Sequence, residues 1–230
     1  ALPLADSPEH ECVYLPGRMA QMRAFWARMI PANLYHDFMD AGFRRSGCYV
    51  YQPICAGCRR CMPIRVPTDR FVPSKSQRRC WRRNLDLSVE IGPPEFDEET
   101  YQLYRRYLTQ WHDGKMGESR EEFESFLCET PVNTIQCSYR DASGRLLAFG
   151  ICDLSSRSLS SVYFCFGPEH ARRSLGTFGV LWEIEYARRE SIPWYYLGYW
   201  VQGCSKMDYK ASFRPSEVLH PDGIWRCASA

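Results

Sequence analysis

The stretch "NTIQCSYRDASGRLLAFGICDLSSRSLSSVYFCF", residues 133–166, decides the fold. Three runs rich in apolar and β-branched residues, 133–140, 145–154 and 159–166, are separated by the polar tetrapeptides DASG and SSRS. Such tetrapeptides are typical of tight turns, and the runs between them have the length and composition of strands. The stretch therefore predicts three consecutive strands joined by turns.

The segments on both sides of this stretch extend the pattern. Upstream, "LDLSVEI" (85–91) alternates apolar and polar residues as a strand does, and two helices follow, the second of them starting at a capping box of Ser119 and Glu122. Downstream, a helix is predicted over about 174–190, and "WYYLGYW" (194–200) is one more strand. This order predicts an α/β (α+β) fold with a central mixed sheet.

The order of elements resembles that of the GNAT-like acyltransferases. In that fold the acyl donor lies where the fourth and fifth strands splay apart, and the amine approaches from the opposite side. We expect two parts in this chain, a smaller basic, cysteine-rich N-terminal module (1–90) and a GNAT-like transferase domain (91–230) whose first strand begins at about residue 85.

Composition restricts the class of protein. The chain has 230 residues, of which 45% are hydrophobic and 24% charged, the balance of a globular protein. It contains neither a run of about 18 apolar residues nor a basic segment followed by an apolar leader at its start. We therefore expect a cytoplasmic protein without a membrane partner. The sequence does not indicate an oligomeric state.

Positive charge is concentrated in one segment. Residues 42–84 contain eleven Arg or Lys and one acid, Asp69, whereas the whole chain has a net charge of +2. Within this segment, "SKSQRRCWRRN" (74–84) begins with a capping box and predicts a helix. Its cationic residues fall within an arc of about 140° at 100° per residue. A helix with one cationic face suits contact with nucleic-acid phosphates.

The loop before the 174–190 helix bears on the acyl donor. Enzymes of this fold that use acetyl-CoA usually carry a Gln/Arg-x-x-Gly-x-Gly/Ala loop that holds pyrophosphate at a helix N-terminus. The matching stretch here is "RRSLGTF" (172–178), in which Phe178 replaces the small residue that lets phosphate approach the backbone. The fold permits acyl transfer, but this loop disfavours CoA. The basic segment favours an aminoacyl ester on tRNA instead.

Five long motifs then point to one family: "CVYLPGR" (12–18), "GFRRSGCYVYQPICAGCRRCMPIRV" (42–66), "SKSQRR" (74–79), "WHDGKM" (111–116) and "YYLGYWVQGCSKMDYKASFRPSEVL" (195–219). Together they resemble the aminoacyl-tRNA–protein transferases of the N-degron pathway. The C-x-x-C-x-x-C spacing is similar to that of the bacterial leucyltransferases that act on N-terminal Asp and Glu. Leu15 stands where eukaryotic arginyltransferases have a second cysteine.

The resemblance implies that the α-amine of an acceptor protein attacks the ester carbonyl of Leu-tRNA, so that leucine is transferred to an N-terminal Asp or Glu and the protein is marked for degradation. No covalent enzyme intermediate and no cofactor are required. The expected catalytic residues are Tyr199, Tyr209, Lys210 and His112. The cations expected at the acidic acceptor are Lys206, Lys210, Arg44 and Arg45. The residues expected to bind tRNA are Lys75, Arg78, Arg79, Arg82, Arg83, Arg172 and Arg173.

The cysteines raise a separate question. Among twelve in the chain, Cys55, Cys58 and Cys61 are evenly spaced, and the distant Cys12 makes a fourth thiolate, enough for tetrahedral zinc or an iron–sulfur cluster. Nearby arginines would favour thiolates even without a metal. A bound zinc or cluster and an empty thiol loop that holds the basic module in shape both stay open at this point.

Two alternatives to leucine transfer remain at the level of sequence. One is the same reaction with arginine from Arg-tRNA, which a strongly acidic donor pocket would favour. The other is a non-catalytic RNA-binding protein that has kept the fold but makes no product.

Overall fold

A computed structural model describes residues 3–111, apart from the side chain of Trp111, and residues 119–228. The strands are, in chain order, β1 (Ala5–Asp6), β2 (His10–Glu11), β3 (Met19–Ala20), β4 (Met22–Trp26), β5 (Arg44–Ser46), β6 (Tyr49–Pro53), β7 (Cys61–Pro67), β8 (Ser88–Gly92), β9 (Asn133–Arg140), β10 (Leu146–Leu154), β11 (Ser158–Phe166), β12 (Trp194–Val201), β13 (Glu217–Leu219) and β14 (Trp225–Cys227). The α-helices are α1 (Ala32–Asp40), α2 (Lys75–Arg83), α3 (Glu98–Trp111), α4 (Arg120–Phe123), α5 (Leu175–Arg189) and α6 (Ser205–Asp208). A π-helical turn (Glu124–Cys128) and two 3₁₀ turns (Pro168–Arg173 and Tyr209–Ser212) complete the helical elements of the described residues.

The large sheet has eight strands in the order β14-β13-β7-β12-β11-β10-β9-β8. Neighbouring strands are antiparallel except β11 and β12, which are parallel and joined through α5. The predicted central mixed sheet and GNAT-like topology are therefore confirmed. The three runs predicted within 133–166 form β9, β10 and β11, and the bounds of β9 are those predicted.

One strand begins later than the alternation predicts. The run 85–91 was expected to start at Leu85, but β8 starts at Ser88 and Leu85 is 65% exposed. The cause is Asn84, the residue that ends α2: its side-chain amide donates to the carbonyls of Cys80 and Arg173, and its own carbonyl accepts from the amide of Leu87. This turn occupies the first residues of the apparent strand.

The first 90 residues contribute to three sheets, the smallest of which is the pair β2 and β3. Strands β1, β4, β6 and β5 form a small four-stranded sheet in that order. Strand β7, by contrast, lies inside the large sheet between β12 and β13. The expected boundary near residue 90 therefore runs through a shared sheet, and the separate N-terminal module (1–90) and transferase domain (91–230) stay a prediction.

The two faces of the large sheet are covered by different elements. Successive side chains of a strand point to opposite faces, and on β12 Tyr195 packs in the apolar cluster that includes α5, while Tyr196 packs in the cluster of α1 and the small sheet. Helices α3 and α4 form a third cluster with β10 and β11. In the described part of the chain, no helix has the length and apolar character needed to cross a membrane.

Candidate active site

The candidate site lies at a break in strand pairing on β12. Strands β11 and β12 pair only from Ser158 to Ser160 and from Trp194 to Tyr196, and then diverge. Just beyond this point β12 bulges against β7 between Tyr196 and Gly198. Gly198 has φ of 84°, a conformation in which side chains are strained, so glycine suits the bulge. The splay and the bulge together interrupt the pairing of β12 in the middle of the sheet.

Lys210 covers this bulge. It is 9% exposed, and its Nζ donates to the carbonyl of Tyr199 at 3.0 Å. A Cβ atom on Gly198 would lie 3.4 Å from the same Nζ. Burial, followed by the charge of Arg44, lowers the pKa of Lys210 to about 7. The amine can therefore gain or lose a proton near neutral pH beside the bulge.

Arg44 is the second buried cation of the site. It is 5% exposed, its Nη1 donates to the carbonyl of Phe43 at 2.7 Å, and its guanidinium lies over the rings of Tyr196 and Tyr199 at 5.0 and 5.7 Å. Among the described residues neither Nε nor Nη2 has a hydrogen-bond partner. Two buried donors of a permanent cation are thus available to a bound anion.

Arg45, its neighbour, is engaged within the protein. Its Nε and Nη2 donate to the two carboxylate oxygens of Asp153 at 2.7 and 2.6 Å, and Nη2 also donates to Thr134. Tyr35 donates to the same carboxylate at 2.6 Å. Both charges are fully buried. The structure therefore separates the two arginines that the sequence grouped together, and only Arg44 has donors left for an acceptor.

The other residues predicted for catalysis or acceptor binding differ in burial and in their distance from the bulge. Tyr199 is buried and its hydroxyl donates to the carbonyl of Gly42 at 2.8 Å, so that proton is used within the protein, and burial raises its pKa well above the usual value. Tyr209 is 46% exposed next to Phe213, and Lys206 is exposed on α6. His112 lies outside the described residues. The structure thus brings Lys210, Arg44 and Tyr199 together.

The predicted tRNA-binding cations lie on the other face of the sheet. Helix α2 begins at a full capping box of Ser74 and Gln77, and it packs on α5 through a contact between Trp81 and Phe178. That packing covers the start of α5, where a CoA enzyme would hold pyrophosphate. The exposed cations of this region are Lys75, Arg78, Arg79, Arg82, Arg83 and Arg172. Arg173 is partly buried and forms an ion pair with Asp86.

The four predicted metal ligands gather near the site. Burial, followed by the nearby thiols of Cys12, Cys55, Cys58 and Cys204, raises the pKa of Cys61 to about 12. A cavity of about 240 Å³ is lined by three of these cysteines together with Gly42 and Tyr199. Within residues 3–111 and 119–228, however, no group of three or more His, Cys, Asp or Glu has the geometry to hold a metal ion. The described arrangement gives no support to a bound metal, and zinc or a cluster at these cysteines stays a prediction.

Glu183 is a buried carboxylate that was not predicted as a site residue from the sequence. Its Oε2 accepts a hydrogen bond from the hydroxyl of Tyr195, and burial raises its pKa to about 7. This bond joins α5 to β12 one residue before β11 and β12 part. The sequence did contain a signal for this residue. Glu183 lies in the buried stripe of α5, one turn from Gly179 and from Ala187, where a charged residue is unusual.

Comparison with known proteins agrees with this architecture. Residues 10–79 match the family model of the arginine-tRNA-protein transferase N terminus, and residues 99–220 match that of its C terminus. At 16% identity and a TM-score of 0.50, the structure shares its fold with the C-terminal domain (DUF2156) of a protein described as a lysylphosphatidylglycerol synthetase from Agrobacterium fabrum, covering 77% of this chain and 54% of that one.

Curated relatives match nearly the full chain. An aspartate/glutamate leucyltransferase of Hahella chejuensis is 40% identical over 219 residues, which cover 94% of this chain and 93% of the relative. One of Marinobacter nauticus is 43% identical over 225 residues, covering 96% and 93%. With both family models and relatives of this similarity, the chain belongs to the arginine-tRNA-protein transferase family of aminoacyltransferases.

Proposed function

We propose that this protein transfers leucine from Leu-tRNA to proteins that begin with Asp or Glu. One observation carries the proposal: Arg44 and Lys210 are buried beside the bulge at Gly198, and neither has a carboxylate partner among the described residues. Buried cations are normally paired with anions. An acidic side chain at the N-terminus of an acceptor would supply the missing charge, and the names of the curated relatives agree with this substrate.

The two cations take different roles in this proposal. A guanidinium stays charged at all physiological pH values, so Arg44 binds the acceptor carboxylate through its Nε and Nη2. Lys210, with a pKa of about 7, accepts the proton of the acceptor's α-ammonium, whose own pKa is about 8. The neutral amine then attacks the ester carbonyl of Leu-tRNA, a peptide bond forms, and the terminal ribose oxygen leaves and is protonated.

Positioning supplies the rest of the catalysis. The ester is already activated, so the site needs to hold amine and carbonyl in line and to stabilise the oxyanion that forms. A bulge removes backbone groups from the strand ladder. We assign the backbone of β12 at the bulge to the carbonyl oxygen of the donor, since it lies where β11 and β12 diverge.

The two substrates approach from opposite faces of the large sheet. The α2 cations lie on the face that carries α5, and Arg44 lies on the face that carries the small sheet. This agrees with the general arrangement of the fold, in which donor and amine come from opposite sides. Leu-tRNA would therefore contact α2 and the 168–173 turn, while the acceptor enters beside β5.

Two related assignments rest on this reaction. A cytoplasmic location follows from the use of aminoacyl-tRNA as donor. Zinc or an iron–sulfur cluster at Cys12, Cys55, Cys58 and Cys61 stays a prediction that elemental analysis and an absorption spectrum of anaerobically purified protein would test. No step of the proposed reaction passes through a metal.

A competition between donors and acceptors tests the proposal. Leu-tRNA and Arg-tRNA, each labelled in the amino acid, are offered separately with reporters that begin with Asp, Glu, Lys or Arg. We expect label from Leu-tRNA on the Asp and Glu reporters alone. Preferential transfer of arginine would replace the donor, label on the Lys or Arg reporters would replace the acceptor, and tRNA binding without any product would indicate a non-catalytic RNA-binding protein.

A further inference from the structure

A row of aromatic rings crosses the small sheet and ends at the candidate site. The ring of Trp26 lies 5.3 Å from that of Tyr49, Tyr49 stacks on Tyr51 at 5.8 Å with an interplanar angle of 21°, and Tyr51 lies 6.3 Å from Tyr199. Tyr199 in turn lies under Arg44. We call Trp26, Tyr49 and Tyr51 the aromatic row.

The strand register places the row and Arg44 on the same face. Directly paired residues of neighbouring antiparallel strands share a face. Trp26 pairs with Tyr49, and Arg44 pairs with Tyr51. The opposite face of the same strands carries Phe25 and Val50, which lie in the apolar core. The row therefore lies on the face of the small sheet that is turned away from Phe25 and Val50.

The outer end of the row is open to solvent. Trp26 is 75% exposed, while Tyr49 and Tyr51 are partly buried and Arg44 is 5% exposed. Exposure thus decreases along the row toward the unpartnered Nε and Nη2 of Arg44. A large exposed aromatic side chain that leads to a buried polar site is typical of a binding surface.

We propose that the aromatic row binds the residues that follow the N-terminal Asp or Glu of the acceptor, in an extended conformation; this inference rests on the proposed function. With the first carboxylate on Arg44, the chain would leave the site along the row. The ring-to-ring steps of 5.3, 5.8 and 6.3 Å match about five extended residues at ~3.4 Å each. Rings bind such segments through apolar contact, with little dependence on side-chain identity.

The charges favour a polypeptide over the single-stranded end of tRNA. Stacking platforms for nucleic acid combine aromatic rings with a basic groove. The arginine within β4, Arg23, points to the other face and is paired with Asp6 at 2.8 Å, and Arg44 at the inner end of the row is buried. Arg59 and Arg60, which line the cavity beside Tyr199, donate to the backbone carbonyls of Cys55, Cys58 and Gln202. The exposed α2 cations lie across the large sheet. RNA binding at the row is the outcome that would contradict the proposal.

The test compares acceptors of two lengths. Trp26→Ala and, separately, Tyr49→Ala are assayed for leucine transfer to the dipeptide amide Asp-Ala and to a ten-residue peptide that begins Asp-Ala. We expect the KM for the long peptide to rise about tenfold, as for loss of one aromatic anchor, while the KM for the dipeptide and for Leu-tRNA stays within about twofold. Met29→Ala is the matched control, because Met29 is 83% exposed and lies outside the row.

A binding assay without turnover distinguishes a failure of this inference from a failure of the proposed function. The affinity for the fluorescent ten-residue peptide, measured by anisotropy in the absence of tRNA, should fall about tenfold in both row variants and remain unchanged in Met29→Ala. Equal losses with both acceptors, no loss with either, or a raised KM for Leu-tRNA would overturn the role of the row. If the parent binds the peptide through the row but transfers no leucine, the proposed function fails and the row stands.

Discussion

Arg44 and Arg45 are adjacent on β5, and the two faces of that strand surround their guanidinium groups in opposite ways. Arg45 meets a complete set of partners in Asp153, Thr134 and the carbonyl of Gly47. Arg44 meets two tyrosine rings and two carbonyls, and two of its nitrogens have no partner among the described residues. Removing one partner of a buried ion pair destabilises a fold, whereas an unsatisfied buried cation needs an explanation, which the proposed function supplies as a bound carboxylate.

The largest expected effect is on stability and concerns Arg45, whose hydrogen-bond partners are complete. Arg45→Met leaves the Asp153 carboxylate buried without its cation, and breaking a buried pair in this way costs about 3–5 kcal/mol in the free energy of unfolding. Denaturant unfolding followed by circular dichroism measures the loss. The double variant Arg45→Met/Asp153→Leu should recover most of it, since no buried charge remains. A loss below about 1 kcal/mol in the single variant would contradict the contrast between the two arginines.

Substitution of Arg44, which has two nitrogens without a partner among the described residues, should instead affect activity. Arg44→Met removes a charged hydrogen-bond partner of the acceptor, which is worth about 1.5–3 kcal/mol, so the KM for an Asp or Glu acceptor should rise about 10- to 100-fold. Because no carboxylate is left unpaired, the free energy of unfolding should fall less than in Arg45→Met. Steady-state transfer at saturating Leu-tRNA checks the KM, and an unchanged KM would place the acceptor elsewhere.

A smaller effect should distinguish the binding of the donor, Leu-tRNA, from the binding of the acceptor protein. Arg79→Glu with Arg82→Glu reverses two exposed cations of α2, and we expect affinity for Leu-tRNA to fall about tenfold. The slope of log affinity against log salt should become shallower by about 0.7 to 0.9 for each phosphate that is no longer neutralised. Filter binding over a range of salt concentrations measures both. Arg18→Glu, an exposed arginine away from α2, is the control. A slope unchanged by the double variant would show that the α2 cations are only solvated.

The smallest effect is a shift in the pH midpoint of activity, which sharpens the link between Arg44 and Lys210. Burial and then Arg44 hold the folded pKa of Lys210 at about 7, below its ordinary 10.5, so the unfolded chain binds more protons between these values. The free energy of unfolding should therefore rise from about pH 7 to 10.5, and Lys210→Met should lack this rise. The transfer rate should increase with pH through about 7, with a higher midpoint in Arg44→Met. An unshifted midpoint would argue against Lys210 as the base.

Local patterns were sufficient for the middle of the large sheet but not for its β14-β13-β7 edge or for the site. The runs that became β9, β10 and β11 are bounded by turns that short-range chemistry specifies, so their positions could be predicted. The strand was wrongly predicted to start at Leu85, because alternation does not reveal that Asn84 anchors a turn to Arg173, a residue 89 positions away. Tertiary contacts override a local pattern in such cases.

The roles of adjacent charges depend on partners that are distant in the chain. "FRRSG" presents two arginines of equal appearance, and the partner of Arg45 is 108 positions away on β10. Alternation along a strand predicts that the two point to opposite faces. It does not predict which face supplies a carboxylate. The same reasoning applies to Tyr199, whose hydroxyl finds the carbonyl of Gly42 157 positions earlier.

The position of β7 has a consequence for biosynthesis. Its partners, β12 and β13, are made more than 120 residues after it, so the strand leaves the ribosome long before either neighbour exists. Pairings of such sequence separation form late and slowly because a long loop must close first. Until then β7 presents two unpaired edges that can associate with other chains. The bulge at Gly198 forms only when β7 and β12 meet, and so a partly made chain carries no assembled site.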